Sequence, residues 1–193
     1  MKQSKITKVL GEVVGQLASE LSAKEKGQDK ILSLSREFIR DCAKAIRHLH
    51  TENPVEAREI MDTLKKKVAE LKKAGVDFPR IIDTPLQEYA EIMIFSAVVD
   101  KKEVPTPEDL EIPVEPYLAG FLDASGEMRR SLQLALKEGK NSDAEYYFQC
   151  MNDIYNEMML LKFSSSLVGN LKRKQDVLRG QLENARSEML RAR

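Results

Sequence analysis

The sequence predicts an all-α protein, a single domain of six or seven antiparallel helices. Helix-forming residues, mainly Ala, Leu, Glu, Lys, Arg and Met, dominate the 193-residue chain. Alternation of apolar and polar residues, which is typical of strands, is nowhere sustained. Hydrophobic residues make up 42% of the chain, enough for a sizeable core. We therefore expect residues 1–193 to form one helical domain.

Three helices are predicted in the first half of the chain. Helical stretches run over residues 4–23 and 28–50, and Gly27 lies in a weak break between them. The third helix covers residues 54–74, because Asn53 is a good cap, Pro54 suits the first turn and Gly75 follows the last residue.

Four further helices are predicted in the rest of the chain. Pro85 lies in the first turn of a helix predicted over residues 84–101. The segment "EVPTPEDLEIP" (103–113) is a loop with one helical turn at 106–110, and helices follow at 114–138 and 141–163. The last helix carries apolar residues at three- and four-residue spacing: Leu171, Leu178, Leu182, Ala185 and Met189.

The composition excludes several classes of protein. Thirty-one basic and 31 acidic residues cancel, so attraction to nucleic acid or acidic lipid requires a local patch. The spacing of Cys42 and Cys150 argues against a zinc site, and we expect both thiols to be reduced, buried and intracellular. His48 and His50 are predicted to be surface or helix-end residues. The first 21 residues lack a continuous apolar stretch, so we expect a cytoplasmic protein without signal peptide or membrane anchor.

Two pairs of acidic residues interrupt charge-poor helices. Glu88 and Glu91 are the only charged residues between Thr84 and Val99, and Asp123 and Glu127 repeat the arrangement on the fifth long helix. Residues three or four apart lie on one face of a helix, so each pair points together. Like charges in a buried place repel, and something must offset that cost.

A divalent cation would offset the repulsion between these acids. Four carboxylates from two facing helices form an all-oxygen site suited to Mg²⁺ or Mn²⁺, and such sites cleave phosphodiesters. The alternative is that the acids pair with Arg or Lys, or become neutral hydrogen-bond donors. We expect neither histidine to lie near the acids, which excludes a ferritin-like di-iron site.

A narrow basic stripe marks the segment "LSREFIRDCAKAIRHLH". Its members follow at spacings of four, four and three residues: Arg36, Arg40, Lys44 and Arg47. They cover an arc of about 80° on a helix, which allows them to follow a phosphate backbone. A solvated face, or a set of partners for the acids, is the alternative interpretation.

Four segments resemble the translin family, which includes translin and translin-associated factor X. The segments are "LSREFIRDCAKAIRHLH", "LQEYAEIMIF", "PVEPYLAGFLDASGEMRRSL" and "LKRKQDVLRGQLENARSEM". The second and third resemble factor X in particular, with its acids falling on Glu88, Glu91, Asp123 and Glu127. Pro116 departs from the family pattern, since an acidic residue usually stands beside the tyrosine. Together with the short 103–113 loop, this indicates a small homomeric version.

The resemblance implies a hollow, octameric shell and a Mg²⁺-dependent endoribonuclease that acts on single-stranded or nicked RNA held inside it. The four acids would bind Mg²⁺ or Mn²⁺ and carry out catalysis, and the basic stripe would hold RNA. Two alternatives remain at this point: an all-α nucleoside triphosphate pyrophosphohydrolase, and a non-catalytic shell that binds RNA or single-stranded DNA.

Overall fold

The computed structural model describes residues 5–192, with side chains from residue 9 onward, and every regular element in that range is a helix. Six long helices and two single turns follow in order: α1 Lys5–His50, α2 Pro54–Ala74, α3 Pro79–Val99, α4 Pro107–Leu110, α5 Val114–Lys137, α6 Asn141–Met158, α7 Ser165–Val168 and α8 Leu171–Arg191. The predicted all-α class is confirmed. Ser4, the predicted first helical residue, lies outside the described residues, and the assignment of 1–193 to one domain stays a prediction.

Helix α1 is continuous where the sequence predicted two helices. Gly27 lies inside it, and a Cβ atom there would stand 3.4 Å from Cε2 of Phe78. A glycine inside a helix costs about 1 kcal/mol relative to alanine. Helix-forming neighbours on both sides and the packing of α1 against α2 and α3 offset that cost.

Two other helix ends differ from the prediction. Helix α3 begins at Pro79, and Pro85 lies in its interior, where core packing outweighs the loss of one backbone hydrogen bond. Helix α6 ends at Met158 rather than near residue 163. There, the side-chain amide of Gln175 donates to the carbonyl oxygens of Met158 and Leu161 at 2.6 and 3.2 Å, which satisfies groups that the helix end leaves free.

Helix α3 lies at the centre of the bundle, against α1, α2 and α5, while α5 also packs on α6 and α8. Leu86, Ile92 and Phe95 of α3 are fully buried. The backbones of α3 and α5 meet at Gly120, where a Cβ atom would stand 2.4 Å from the carbonyl oxygen of Gln87. The absence of a side chain at this position therefore allows the two acid-bearing helices to touch.

Two expectations based on composition concern the thiols and membranes. Cys42 is buried as predicted, but Cys150 is only partly buried, and both are free of disulfide bonds. Within residues 5–192, no helix is both long enough and apolar enough to cross a membrane.

Replacing Gly120 by alanine should destabilise the fold by about 1–3 kcal/mol, because the new methyl group meets the α3 backbone. Urea unfolding of purified protein measures the difference. Gly180 on α8 is the matched control, since no described residue comes within 4 Å of a Cβ atom placed there. Gly180→Ala should stabilise by up to about 1 kcal/mol through helix propensity. Equal effects of the two substitutions would contradict the close α3–α5 approach.

Candidate metal and nucleic-acid site

The structure brings the four predicted acids close enough to influence one another. After burial, the negative charges of Asp123 and Glu127 on α5 raise the pKa of Glu88 on α3, and Lys174 opposes them. The two pairs predicted on separate stretches of chain therefore share one electrostatic environment, which we call the acid cluster.

Glu91 is the buried member of the acid cluster. It is 8% exposed, and no hydrogen bond or ion pair reaches its side chain within the described part of the chain. Burial, followed by the charges of Glu88, Asp123 and Glu127, raises the pKa of Glu91 to about 8. At neutral pH, Glu91 is therefore largely a neutral carboxylic acid.

Asp123 is held by two side chains from other helices. The amide of Gln87 donates to Oδ2 at 2.6 Å, and the ammonium group of Lys174 forms an ion pair with Oδ1. Lys174 belongs to the first turn of α8, and its side chain is only 11% exposed. Its charge also opposes the rise in the pKa values of Glu88 and Glu91, but burial, which raises them, has the larger effect. One ammonium group thus partly neutralises three acids.

Glu127 is held by His50, at the end of α1. The His50 Nε2 atom lies 2.6 Å from Oε2 of Glu127, and Nδ1 lies 3.4 Å from the hydroxyl of Ser131. The imidazole packs on the ring of Phe95, with centroids 5.0 Å apart, and its side chain is 2% exposed. The expectation that neither histidine lies near the acids is therefore wrong for His50. His50 is a helix-end residue, as one of the two predicted alternatives has it, but its side chain is not at the surface.

The chemistry of the acid cluster suits a hard divalent cation, because its donors are carboxylate oxygens. Among residues 9–192, however, no three His, Cys, Asp or Glu side chains converge as a ready-made set of metal ligands. Asp123 and Glu127 are turned toward Lys174 and His50. A cation bound by all four acids would therefore have to draw these two away from their present partners.

Three members of this site were not predicted from the sequence: Lys174, His50 and Gln87. For two of them the sequence carries a signal. Lys174 follows Leu171 by three residues and precedes Leu178 by four, which places it on the apolar face of α8. At about 100° per residue, His50 falls close to Ile39 on the apolar side of α1. A polar residue on an apolar helix face is a candidate partner for a buried charge. Gln87 gave no comparable signal.

The basic stripe is exposed along α1. Its four members all face solvent: Arg36, Arg40, Lys44 and Arg47. Lys44 lies 3.3 Å from Asp41, whereas the three arginines form no ion pair with any described residue. The stripe lies on the side of the helix away from Cys42, whose thiol has its pKa raised by burial and then by Glu88. The stripe and the acid cluster therefore occupy different sides of α1.

The fold and the acid cluster define a helical-bundle protein with paired acids on two central helices. A family model described as "Translin family" matches residues 76–187, which include α3, α5 and the acid cluster. The chain therefore belongs to the translin family.

Relatives and solved structures agree with this assignment. An uncharacterized protein of Methanocaldococcus jannaschii is 32% identical over 178 residues, which cover 90% of this chain and 80% of the relative. A structure described as AfC3PO in complex with duplex RNA superposes with a TM-score of 0.81 at 26% identity, covering 93% of this chain and 95% of that one. The AfC3PO crystal structure gives 0.81 at 28% identity, with 93% and 96% covered.

A more distant structure supports the fold alone. The chain of apo-NeC3PO superposes with a TM-score of 0.84 at 18% identity, and the alignment covers 93% of this chain and 97% of that chain. The helical bundle is therefore retained at a low level of sequence similarity.

The raised pKa of Glu91 predicts a specific dependence of stability on pH. Between about pH 4.5 and 8 the folded chain keeps a proton that the unfolded chain has lost, so the free energy of unfolding falls as pH rises. Glu91→Gln cannot ionise, so its free energy of unfolding should not fall in this way. At pH 9 it should be higher than that of the wild type by on the order of a few kcal/mol.

Urea unfolding between pH 5 and pH 9 tests this expectation. Glu56→Gln is the control, because Glu56 is exposed on α2, and it should show the wild-type pH dependence. Parallel curves for the wild type and Glu91→Gln would contradict a buried, proton-holding Glu91.

Proposed function

We propose that this protein is a Mg²⁺-dependent endoribonuclease of the factor X type, acting on single-stranded or nicked RNA within a homo-octameric shell. The observation that carries the proposal is the acid cluster, in which Glu91 is buried among carboxylates and has no hydrogen-bond or ion-pair partner in the part of the chain that the structure describes. Burying such a group is costly and is common at functional sites. The similar structure solved with duplex RNA supports RNA as the nucleic acid that this protein binds.

Each acid has a distinct part in the proposed mechanism. Glu88, Glu91, Asp123 and Glu127 would hold one or two Mg²⁺ ions, which when bound activate water and stabilise charge on the phosphate. Alternatively, Glu88 would accept a proton from the attacking water instead of binding metal, since it is only half-buried and has no hydrogen-bond partner among the described residues. Gln87 and Lys174 orient Asp123, and His50 orients Glu127.

The basic stripe would position the RNA. Three of its four side chains lack an acidic partner within residues 9–192, so their charge is available to phosphates. Contacts to phosphate carry no base information, and sequence preference should be weak.

A specific contact favours a second candidate function, a non-catalytic shell that binds RNA or single-stranded DNA. Lys174 already neutralises Asp123, and His50 already engages Glu127, as expected if these acids are structural. Among the side chains of residues 9–192, Glu88 and Glu91 have no such partners, and for that reason we favour the nuclease.

Incubation with end-labelled single-stranded RNA, with and without Mg²⁺, distinguishes the two functions. We expect cleavage by the wild type only with Mg²⁺, and a loss of at least about 100-fold in Asp123→Ala and Glu91→Ala, because each removes a carboxylate from the acid cluster. Glu115→Ala is the matched control, since Glu115 is an exposed acid on the same helix as Asp123.

Titration calorimetry with Mn²⁺ provides a readout that does not depend on turnover. The heat of binding should disappear in Asp123→Ala and persist in Glu115→Ala. Cleavage at the wild-type rate by either cluster variant would reject the nuclease assignment, and RNA binding without cleavage by the wild type would establish the non-catalytic shell.

Removing one arginine of the basic stripe should weaken RNA binding and its dependence on salt. For Arg40→Ala we expect the slope of log affinity against log salt to fall by about 1, because one phosphate contact is lost. Fluorescence anisotropy at several salt concentrations measures the slope. Arg179→Ala, which removes an exposed arginine of α8 paired with Asp176, should leave it unchanged. Identical slopes for Arg40→Ala and the wild type would show that the basic stripe does not contact the RNA phosphates.

A further inference from the structure

The N-terminal part of α1 contains no buried residue in the range that the structure describes. Every residue from 9 to 30 is exposed, and the first buried residue after them is Ile31. At 1.5 Å per residue this exposed stretch is about 33 Å long. In proteins most of the stability of a helix comes from packing of its apolar face, and residues 9–30 bury no such face among the described residues, so a partner would stabilise this stretch.

Large apolar side chains line one side of this exposed stretch. Six of them are 44% to 65% exposed, and we call them the N-terminal ridge: Val9, Leu10, Val13, Val14, Leu17 and Leu21. At about 100° per residue they fall within an arc of about 140°. A contiguous exposed apolar surface of this size is characteristic of an interaction site.

The spacing within the ridge is self-complementary. Leu10, Val14, Leu17 and Leu21 follow at intervals of four, three and four residues, which read the same in both directions. Two such helices packed antiparallel about a two-fold axis place Leu10 opposite Leu21, and Val14 opposite Leu17. Each surface then meets an identical copy of itself, as a symmetric dimer requires.

Charge and area favour a second copy over a membrane. Between residues 9 and 30 three lysines are balanced by four acidic residues, whereas helices that bind anionic membranes carry mainly lysine and arginine on the polar face. Two ridges together expose on the order of 1,000 Å², which reaches the lower size of specific protein interfaces.

We propose that two copies of this chain associate through their N-terminal ridges, packed antiparallel as a symmetric helix pair. The inference deepens the assembly part of the proposed function by naming the surface through which copies meet. It is tested by mass and by cross-linking, without RNA or metal, so its failure is distinguishable from failure of the nuclease assignment.

Light scattering of the full chain measures the mass of the assembly. Leu10→Lys/Leu17→Lys places charge in the ridge and should lower the mass to half the wild-type value or less. Ser19→Lys/Ser22→Lys adds the same charge on the opposite side of α1 and should keep the wild-type mass. An unchanged mass in the ridge variant, an equal loss in the control, or a monomeric wild type would overturn the proposal.

Disulfide cross-linking tests the antiparallel arrangement in a Cys150→Ser background. Leu10→Cys/Leu21→Cys should form a covalent dimer on oxidation. Each single cysteine variant should not, because identical positions lie about 16 Å apart along an antiparallel pair. Cross-linking by a single variant would overturn the arrangement. Flotation of the wild type with anionic vesicles, lost in Leu10→Lys/Leu17→Lys, would assign the ridge to a lipid surface instead.

Discussion

The contact between α3 and α5 at Gly120 is the constraint on which the rest of the structure depends. It holds two helices at backbone distance, and each of them carries a pair of acids on the side where they meet. Repulsion among these carboxylates opposes the contact, whereas burial of Leu86, Ile92 and Phe95 favours it. The core therefore stabilises an arrangement of charges that would otherwise separate.

The protein offsets this repulsion in a different way at each acid. Glu91 is shielded from water and holds a proton near neutral pH, as its raised pKa indicates. Asp123 is paired with an ammonium group and Glu127 with an imidazole, while Glu88 stays half-buried. The partners come from α1 and α8, so helices distant in sequence support one electrostatic site. The electrostatic site is therefore complete only when these helices are packed together in the bundle.

The sequence predicts the fold class and most helices because helix propensity, proline positions and apolar spacing act locally. The errors arise where tertiary contacts outweigh a local signal: the break at Gly27, the start of α3 before Pro85 and the early end of α6. The acid pairs were detectable because they interrupt charge-poor segments. His50 lies 77 residues from Glu127, and Lys174 lies 51 residues from Asp123, so no local pattern connects them. The position of a polar side chain on an apolar helix face was the one available indication.

The ion pair between Lys174 and Asp123 has a consequence for how such a site is filled. The chain supplies its own positive charge beside Asp123, so a cation bound there as proposed would have to displace the ammonium group of Lys174 from the aspartate. Its occupancy would then depend on the competition between two cations for one carboxylate.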